Sequence, residues 1–174
     1  MIVSNASPLI YLAKVESLYL LKELYREVVL PTAVLDEIFK GKASGKVDAI
    51  VIERATKEPE GWLRTKKLPA EQLQTAAALA KTLPIHHGEA EAVVLAHELR
   101  APLLIDDRVG RKAAEVLYGV SCLGTIAVLL DAVWARLINE RNAKTLLDKI
   151  IAEGFNLDAL TYAEFCRRLK EVSK

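Results

Sequence analysis

The sequence of this chain is poor in cysteine, in aromatic residues and in net charge. Its 174 residues include two cysteines and 6% aromatic residues, and the formal net charge is +1. Cys122 and Cys166 lie far apart and match no zinc-ligand spacing, so we interpret both as reduced core thiols. A net charge near zero excludes a uniformly basic surface, so any nucleic-acid binding must depend on a local patch or on metal ions.

Long apolar runs and a secretory signal are also missing from the sequence. No apolar run reaches the ~18 residues that a membrane span needs. The start, MIVSNASPLI, has no basic segment and contains Pro8, which is not the pattern of a signal peptide. We therefore expect no membrane association and a cytoplasmic location. With 52% hydrophobic residues, the chain is predicted to form one domain over residues 1–174.

Strand-like and helix-like segments alternate from residue 1 to about residue 138. Because this alternation is typical of a parallel sheet with helices on both faces, we predict an α/β fold. Thr32 and Gly41 are expected to cap the helix between them, and residues 139–174 predict two amphipathic helices around Gly154. No G-x-G-x-x-G follows the first strand, which argues against a dinucleotide-binding fold. The predicted strands are residues 2–3, 27–31, 60–68, 102–106 and 120–124.

Carboxylate and amide side chains fall where predicted strands end or where the next helices begin. In an open parallel sheet, ligands bind outside the carboxyl ends of the strands. Converging carboxylates repel one another unless a cation lies among them, and oxygen ligands suit Mg²⁺ or Mn²⁺. The sequence therefore indicates a divalent metal site able to activate water against a phosphodiester. The side chains concerned are Asn5, Asp36, Glu37, Glu89, Asp106 and Asp107.

Neighbouring acids on one helix compete for the same site. Glu89 and Glu91 lie about 200° apart around a helix, so they cannot share one face. We favour Glu89, which is nearer the helix start where the dipole favours its charge, and keep Glu91 as a second candidate. Asp36 and Glu37 are about 100° apart, and one of them at most can point directly inward.

Several candidates have a purely structural alternative. Asp106 could be the N-cap of the helix that follows it. Asn5 could be a turn residue or a cap. Thr125 could cap its own helix or reach into the metal cleft. Glu89 could be a favourable charge in a first helical turn.

Basic residues follow the Asp106–Asp107 pair. Arg108, Arg111 and Lys112 could face the cleft and hold phosphate groups. The alternative is a solvated helix face that balances the acids.

Four segments of the chain resemble one known family. The resemblance is to the PIN-domain ribonucleases, and more narrowly to the branch related to VapC-type toxins of prokaryotic toxin–antitoxin pairs. It covers residues 1–138 in continuous order. The segments are IVSNASPLIYLAK, LPTAVLDEI, GEAEAVVLAHEL and PLLIDDRVGRKAAEVLYGVSCLGTIAVLL.

This resemblance implies a three-layer α/β/α fold with a central parallel sheet. It also implies an acidic cluster that binds Mg²⁺ or Mn²⁺ and cleaves RNA, together with a homodimer and a bound protein antitoxin. The family's four acidic positions fall, in chain order, on Asn5, Glu37, Glu89 and Asp106, with Asp107 directly behind the fourth and Ser7 at the family's small hydroxyl position.

Asn5 departs from the family pattern because it replaces the first acid. An amide oxygen can ligate a metal but lacks the full charge that holds a hard cation. Losing one carboxylate from about four weakens Mg²⁺ binding by an expected ~1.4 kcal/mol or more, a factor of about ten. Two hypotheses follow. The chain is a metal-dependent endoribonuclease with a basic residue such as Arg108 on the phosphate, or it is a catalytically weak or inactive module that binds RNA or protein.

Overall fold

A computed structural model describes residues 1–42, 47–57 and 61–172. In these ranges there are five strands and ten helices, and each strand is followed by one to three helices. The strands are β1 (Ile2–Ser4), β2 (Val28–Pro31), β3 (Leu63–Lys66), β4 (Leu103–Leu104) and β5 (Cys122–Leu123). The helices are α1 (Ala6–Lys14), α2 (Tyr19–Tyr25), α3 (Thr32–Lys42), α4 (Val47–Thr56), α5 (Ala70–Thr82), α6 (His87–Leu99), α7 (Arg108–Tyr118), α8 (Thr125–Trp134), α9 (Glu140–Ala152) and α10 (Ala159–Val172).

All five strands are parallel and form one sheet in the order β3-β2-β1-β4-β5. The central strand β1 pairs on both sides, since Val3 lies opposite Val29 of β2 and Leu103 of β4. Parallel neighbours require long crossover connections, which the helices supply. The carboxyl ends of all five strands therefore meet at one edge of the sheet.

Helices cover both faces of the sheet, which makes the fold a three-layer α/β/α arrangement. Successive side chains of a strand point to opposite faces, and the buried residues divide accordingly. Ile2 and Leu104 pack with α1, α2, α3, α4, α8, α9 and α10 in one apolar cluster. Val3 and Leu103 pack with α5, α6 and α7 in the other. The predicted fold class is confirmed.

Several predicted boundaries are wrong, and strands β3 and β5 cover only Leu63–Lys66 of the predicted 60–68 and Cys122–Leu123 of the predicted 120–124. Helix α3 continues through Lys42, so Gly41 lies inside the helix and does not cap it. Strand β4 contains two residues instead of the five predicted for 102–106. The hydrogen bonding between β4 and β5 continues as far as Ile105, whose N–H donates to Leu123 O at 2.8 Å. Beyond it, the N–H of Thr125 donates to the side chain of Asp106 and not to the facing strand.

The C-terminal helices pack against the rest of the chain. Phe165 of α10 and Leu147 of α9 are buried in the same apolar cluster as Ile2 of the central strand. The loop between the two helices is tied to α1, since Tyr11 Oη donates to Gly154 O at 3.2 Å. Within the described residues, no helix combines the length and the apolarity needed to cross a membrane.

Candidate active site

Asn5 lies at the carboxyl end of the central strand and is almost fully buried, with 3% of its surface exposed. Its backbone N–H donates to Leu104 O at 3.0 Å, which extends the pairing of β1 with β4 by one residue. Its side-chain Oδ1 accepts the N–H of Ser7 at 3.2 Å and caps the N-terminus of α1. The structure therefore supports the cap interpretation of Asn5, and one of its polar atoms is committed to the backbone.

Asp106 follows β4 and is held by hydrogen bonds from two other segments. Its Oδ1 accepts the backbone N–H of Thr125 at 2.8 Å, and its Oδ2 accepts the hydroxyls of Thr125 at 2.7 Å and Ser7 at 3.1 Å. Burial raises the pKa of Asp106, while these hydrogen bonds and the charge of Arg111 oppose that rise. The carboxylate thus joins the strand end to the N-termini of α1 and α8.

Asp107, and not Asp106, is the N-cap of α7. Its Oδ1 accepts the N–H of Gly110 at 2.6 Å. Because successive side chains of an extended backbone point in opposite directions, Asp106 turns towards α8 while Asp107 turns towards the start of its own helix. The suggestion that Asp106 caps the following helix is therefore wrong.

Thr125 is the first residue of α8, and its N-cap is Gly124. The expectation that Thr125 caps its own helix is therefore wrong, and its hydroxyl faces the cleft, where it donates to Asp106. Arg108 points away from the candidate acids. Its Nη2 donates to Oδ2 of Asp158, the residue directly before α10, at 3.3 Å. The structure thus brings Thr125, but not Arg108, to the candidate acids.

Glu89 is tied to the start of its own helix. Its Oε2 accepts the backbone N–H of His86 at 2.9 Å. Burial is the largest cause that raises the pKa of Glu89, and the charges of Asp107 and Glu37 raise it further, against the lowering effect of His86. Glu89 therefore shares its electrostatic surroundings with two more candidate acids.

Glu37 approaches α6 at a position where the facing helix has no side chain. A Cβ atom placed on Gly88 would lie 3.0 Å from Glu37 Oε2 and 3.3 Å from Val34 Cγ2. Gly88 thus permits the close contact between α3 and α6. An open cavity of about 390 Å³ lies beside this contact, and its lining residues are Ala33, Asp36, Glu37, Lys40, His86, His87 and Gly88.

Glu91 has different partners from Glu89. Burial raises the pKa of Glu91, and a hydrogen bond from the backbone N–H of Ala33 lowers it. The neighbouring charges that affect Glu91 are those of His87 and Asp36. Glu91 therefore stabilises the first turn of α3, which is a structural role.

A family model described as DUF3368, PIN domain, matches residues 1–171. The chain belongs to the PIN-domain family. PIN domains are generally nucleases, so the chain has a nuclease-type fold. Neither a curated protein nor a solved structure matches it.

The acids of this PIN domain form two groups at the carboxyl edge of the sheet. Asp106 belongs to the first, with Asn5 and Ser7, where hydrogen-bond donors surround the carboxylate. Glu37 and Glu89 belong to the second, where neighbouring charges are mostly negative. In the described part of the chain, no three histidine, cysteine, aspartate or glutamate side chains lie close enough together to hold an ion.

The donor set nevertheless fits a hard cation. The candidate ligands offer oxygen atoms, and Mg²⁺ usually keeps several waters and binds through one or two carboxylates. Burial is the main cause that raises the pKa of Glu89, and the charges of Asp107 and Glu37 add to it; a nearby cation opposes both effects. A largely hydrated Mg²⁺ or Mn²⁺ is the ion that suits these residues.

The sequence patterns did not identify Gly124 as a residue of the site in this PIN domain. A Cβ atom on Gly124 would lie 2.8 Å from Arg111 Nη2 and 3.0 Å from Asp106 Oδ1. The guanidinium of Arg111, considered above as a phosphate ligand, instead donates to Ile105 O at 2.8 Å and to Cys122 O at 3.4 Å. The available signal was a glycine directly after an apolar run in VSCLG, at the point where a strand meets a helix.

A larger cavity lies at the opposite end of the sheet, near the amino ends of β4 and β5. Its volume is about 780 Å³, and it lies beside the C-terminal ends of α6 and α7, where His97 Nδ1 and Tyr118 O are 2.9 Å apart. Its lining includes His97, Arg100 and Tyr118 but none of the candidate acids. Because ligands of open parallel sheets bind at the carboxyl ends of the strands, the candidate active site is the end of the sheet that carries the candidate acids, and not this cavity.

Proposed function

We propose that this PIN domain is a metal-dependent endoribonuclease that hydrolyses RNA phosphodiesters, and that it acts as the toxin of a type II toxin–antitoxin pair of the VapC-like branch. The observation that carries the proposal is the placement of Asp106 between Ser7, which follows Asn5, and Thr125. Side chains from three separate segments meet there, at the edge of the sheet where ligands bind.

We propose that the metal binds among four candidate ligands, Asn5, Glu37, Glu89 and Asp106, of which one or two carboxylates would bind it directly while its waters reach the others. Bound Mg²⁺ or Mn²⁺ would supply an activated water and neutralise charge developing on the phosphate. Asp106 is held in one orientation by its hydrogen-bond donors. Glu89 is similarly held by the N–H of His86. Such fixed side chains lose little freedom when a substrate binds, which favours catalysis.

Ser7 and Asp107 complete the proposed centre. The hydroxyl of Ser7 donates to Asp106, and in this role it orders the carboxylate or a nearby water. Asp107 uses Oδ1 to cap α7, and its charge raises the pKa of Glu89. Thr125 serves as a positioning residue. Arg108 stays a weaker candidate for the phosphate, and Glu91 is the least favoured because it stabilises α3.

The proposal includes a protein antitoxin, a homodimer and a cytoplasmic location. Exposed apolar side chains support contacts with another chain. Leu117 is 63% exposed, Trp134 is 76% exposed and Leu160 is 83% exposed. Light scattering of the purified protein, alone and with the product of an adjacent gene, tests both expected assemblies.

The second candidate function is a catalytically weak or inactive PIN-like module that binds RNA or protein. Asn5 favours it, because its amide brings no charge and its Oδ1 already accepts the N–H of Ser7. In this case the remaining acids would serve as folding contacts, as Asp106 does between β4 and α8.

The test compares two isosteric variants in an RNA cleavage assay with Mn²⁺. Asp106→Asn removes the charge of the proposed ligand, whereas Asp148→Asn makes the same change at an exposed carboxylate that also accepts a hydroxyl hydrogen bond, from Tyr162. We expect Asp106→Asn to reduce cleavage by more than about 100-fold and Asp148→Asn to leave it unchanged. RNA binding without cleavage by the wild type would support an RNA-binding module, and the absence of both would exclude the nuclease and the RNA-binding module.

A further inference from the structure

The pairing of β4 with β5 changes abruptly at Asp106. The N–H of Leu103 donates to Ser121 O at 2.9 Å, and the N–H of Ile105 donates to Leu123 O at 2.8 Å. The hydrogen bonds of a parallel pair are evenly spaced, so the next rung would join the N–H of Thr125 to Ile105 O. That rung is replaced by two side-chain hydrogen bonds.

Each group of the missing rung has a new partner. The N–H of Thr125 donates to Asp106 Oδ1 at 2.8 Å. Ile105 O accepts Nη2 of Arg111 at 2.8 Å instead. Ile105 is fully buried, and a buried carbonyl without a donor is costly. The guanidinium therefore makes it possible for the Thr125 N–H to leave the strand and bind the carboxylate.

Gly124 makes room for this exchange. A Cβ atom there would lie 2.8 Å from Arg111 Nη2 and 3.0 Å from Asp106 Oδ1. The backbone of Gly124 is extended and has a negative φ of −124°, so the residue is not required for an unusual turn. The missing side chain leaves space for the two groups that replace the rung.

We propose that Arg111 is a positioning residue for Asp106. By binding Ile105 O it releases the N–H of Thr125, which fixes the carboxylate at the sheet edge. The proposal rests on the proposed function in one respect, namely that Asp106 belongs to the active centre. Without the guanidinium, the strands would close by one more rung, and Asp106 would keep the two hydroxyl donors alone.

Nuclear magnetic resonance of the metal-free protein tests this exchange directly. Correlations across hydrogen bonds identify the acceptor of the Thr125 N–H. In the wild type we expect a correlation with the Asp106 carboxyl carbon. In Arg111→Ala we expect it to move to the carbonyl carbon of Ile105. Arg141→Ala, which removes an exposed arginine of α9, is expected to leave the correlation unchanged.

A second variant keeps the charge of Arg111. Gly124→Ala places a methyl group against the guanidinium, and we expect the same transfer of the Thr125 N–H. Because this methyl group would also press on Asp106 Oδ1, Arg111→Met, which keeps much of the side-chain volume but has no donor for Ile105 O, decides the question if Arg111→Ala does not fold. A Thr125 N–H that still donates to Asp106 in the folded variants would overturn the proposal.

Cleavage provides the functional measurement. Where the wild type cleaves RNA, Arg111→Ala is expected to lose on the order of 10²-fold in rate, the effect of a small misplacement in an active site. Transfer of the hydrogen bond with an unchanged rate would overturn the positioning role. A wild type that does not cleave would contradict the proposed nuclease function, while the resonance measurement would still decide whether Arg111 positions Asp106.

Discussion

Asn5→Asp places a carboxylate at the first proposed metal-ligand position, and its effect follows from the surroundings of Asn5. Both Asn5 and Asp106 contact Ser7, at 3.2 Å and 3.1 Å respectively. A second carboxylate here would still cap α1, because aspartate is as good an N-cap as asparagine. Its charge, however, would lie close to that of Asp106.

The size of this repulsion can be estimated. Two unit charges about 6 Å apart at an effective dielectric constant near 20 repel by roughly 3 kcal/mol. A negative charge at a helix N-terminus returns about 0.5 kcal/mol. Asn5→Asp should therefore lower the free energy of unfolding of the metal-free protein by about 2.5 kcal/mol, which is a fall in Tm of roughly 5–10 °C.

Divalent cations should reverse the effect. The added carboxylate is expected to tighten Mn²⁺ binding by at least about tenfold, so Mn²⁺ should raise the Tm of Asn5→Asp more than that of the wild type. Thermal unfolding with and without Mn²⁺ measures both quantities, and calorimetry gives the affinity. If the amide limits catalysis, RNA cleavage should also rise.

Asn139→Asp is the matched control. Asn139 caps α9 in the same way, accepting the N–H of Asn142 at 2.8 Å, but it is exposed. We expect a change in unfolding free energy within about 0.5 kcal/mol and an unaltered response to Mn²⁺. An Asn5→Asp protein that behaves like this control would show that residues 5 and 106 do not share a cation site.

Three further variants test the surroundings of the acids. Asp107→Ala should lower the free energy of unfolding by about 1 kcal/mol, because α7 loses its N-cap and the Gly110 N–H loses its acceptor. Asp107→Asn should retain the cap. Equal losses for the two variants in denaturant titrations would contradict the capping role. Burial and neighbouring charges raise the pKa of Glu89. The free energy of unfolding of the protein therefore falls as the pH rises above the usual pKa of a glutamate, near 4. Metal-free Glu89→Gln should therefore be more stable than wild type at pH 7, by at most about 1 kcal/mol, and this difference should vanish towards pH 4; a difference independent of pH would refute the reasoning. Burial raises the pKa of Cys122 to about 11, so in Cys166→Ser the remaining thiol should react with Ellman's reagent at pH 7.5 at least roughly 10²-fold more slowly than free cysteine, and comparable rates would contradict its burial.

The alternation of apolar runs and helical patterns was sufficient to predict the parallel three-layer fold. Strands with both faces buried are largely apolar, such as the Val28–Pro31 strand, and helices between them impose the parallel direction. The rule that ligands bind at the carboxyl ends of parallel strands then indicated the edge on which Asn5 and Asp106 meet. The spacing of apolar residues predicts the fold because it reflects which side chains are buried.

The roles of individual acids could not be obtained in the same way. Asp106 and Asp107 are adjacent and identical in chemistry, and the direction of the backbone decides which one caps α7. Glu91 accepts the N–H of Ala33 from a distant helix, a contact that depends on how helices pack. The contact of Arg111 with Ile105 O likewise exists because a strand ladder stops early.

The central position of β1 has a consequence for the order of folding. Ser4 pairs with Leu104, so this contact closes a loop of roughly 100 residues, and such distant pairings form slowly. Strand β2 is much nearer in sequence and can join β1 first. During synthesis, the polypeptide must emerge beyond residue 125 before Asn5, Asp106 and Thr125 can come together, so no shorter N-terminal fragment contains the assembled centre.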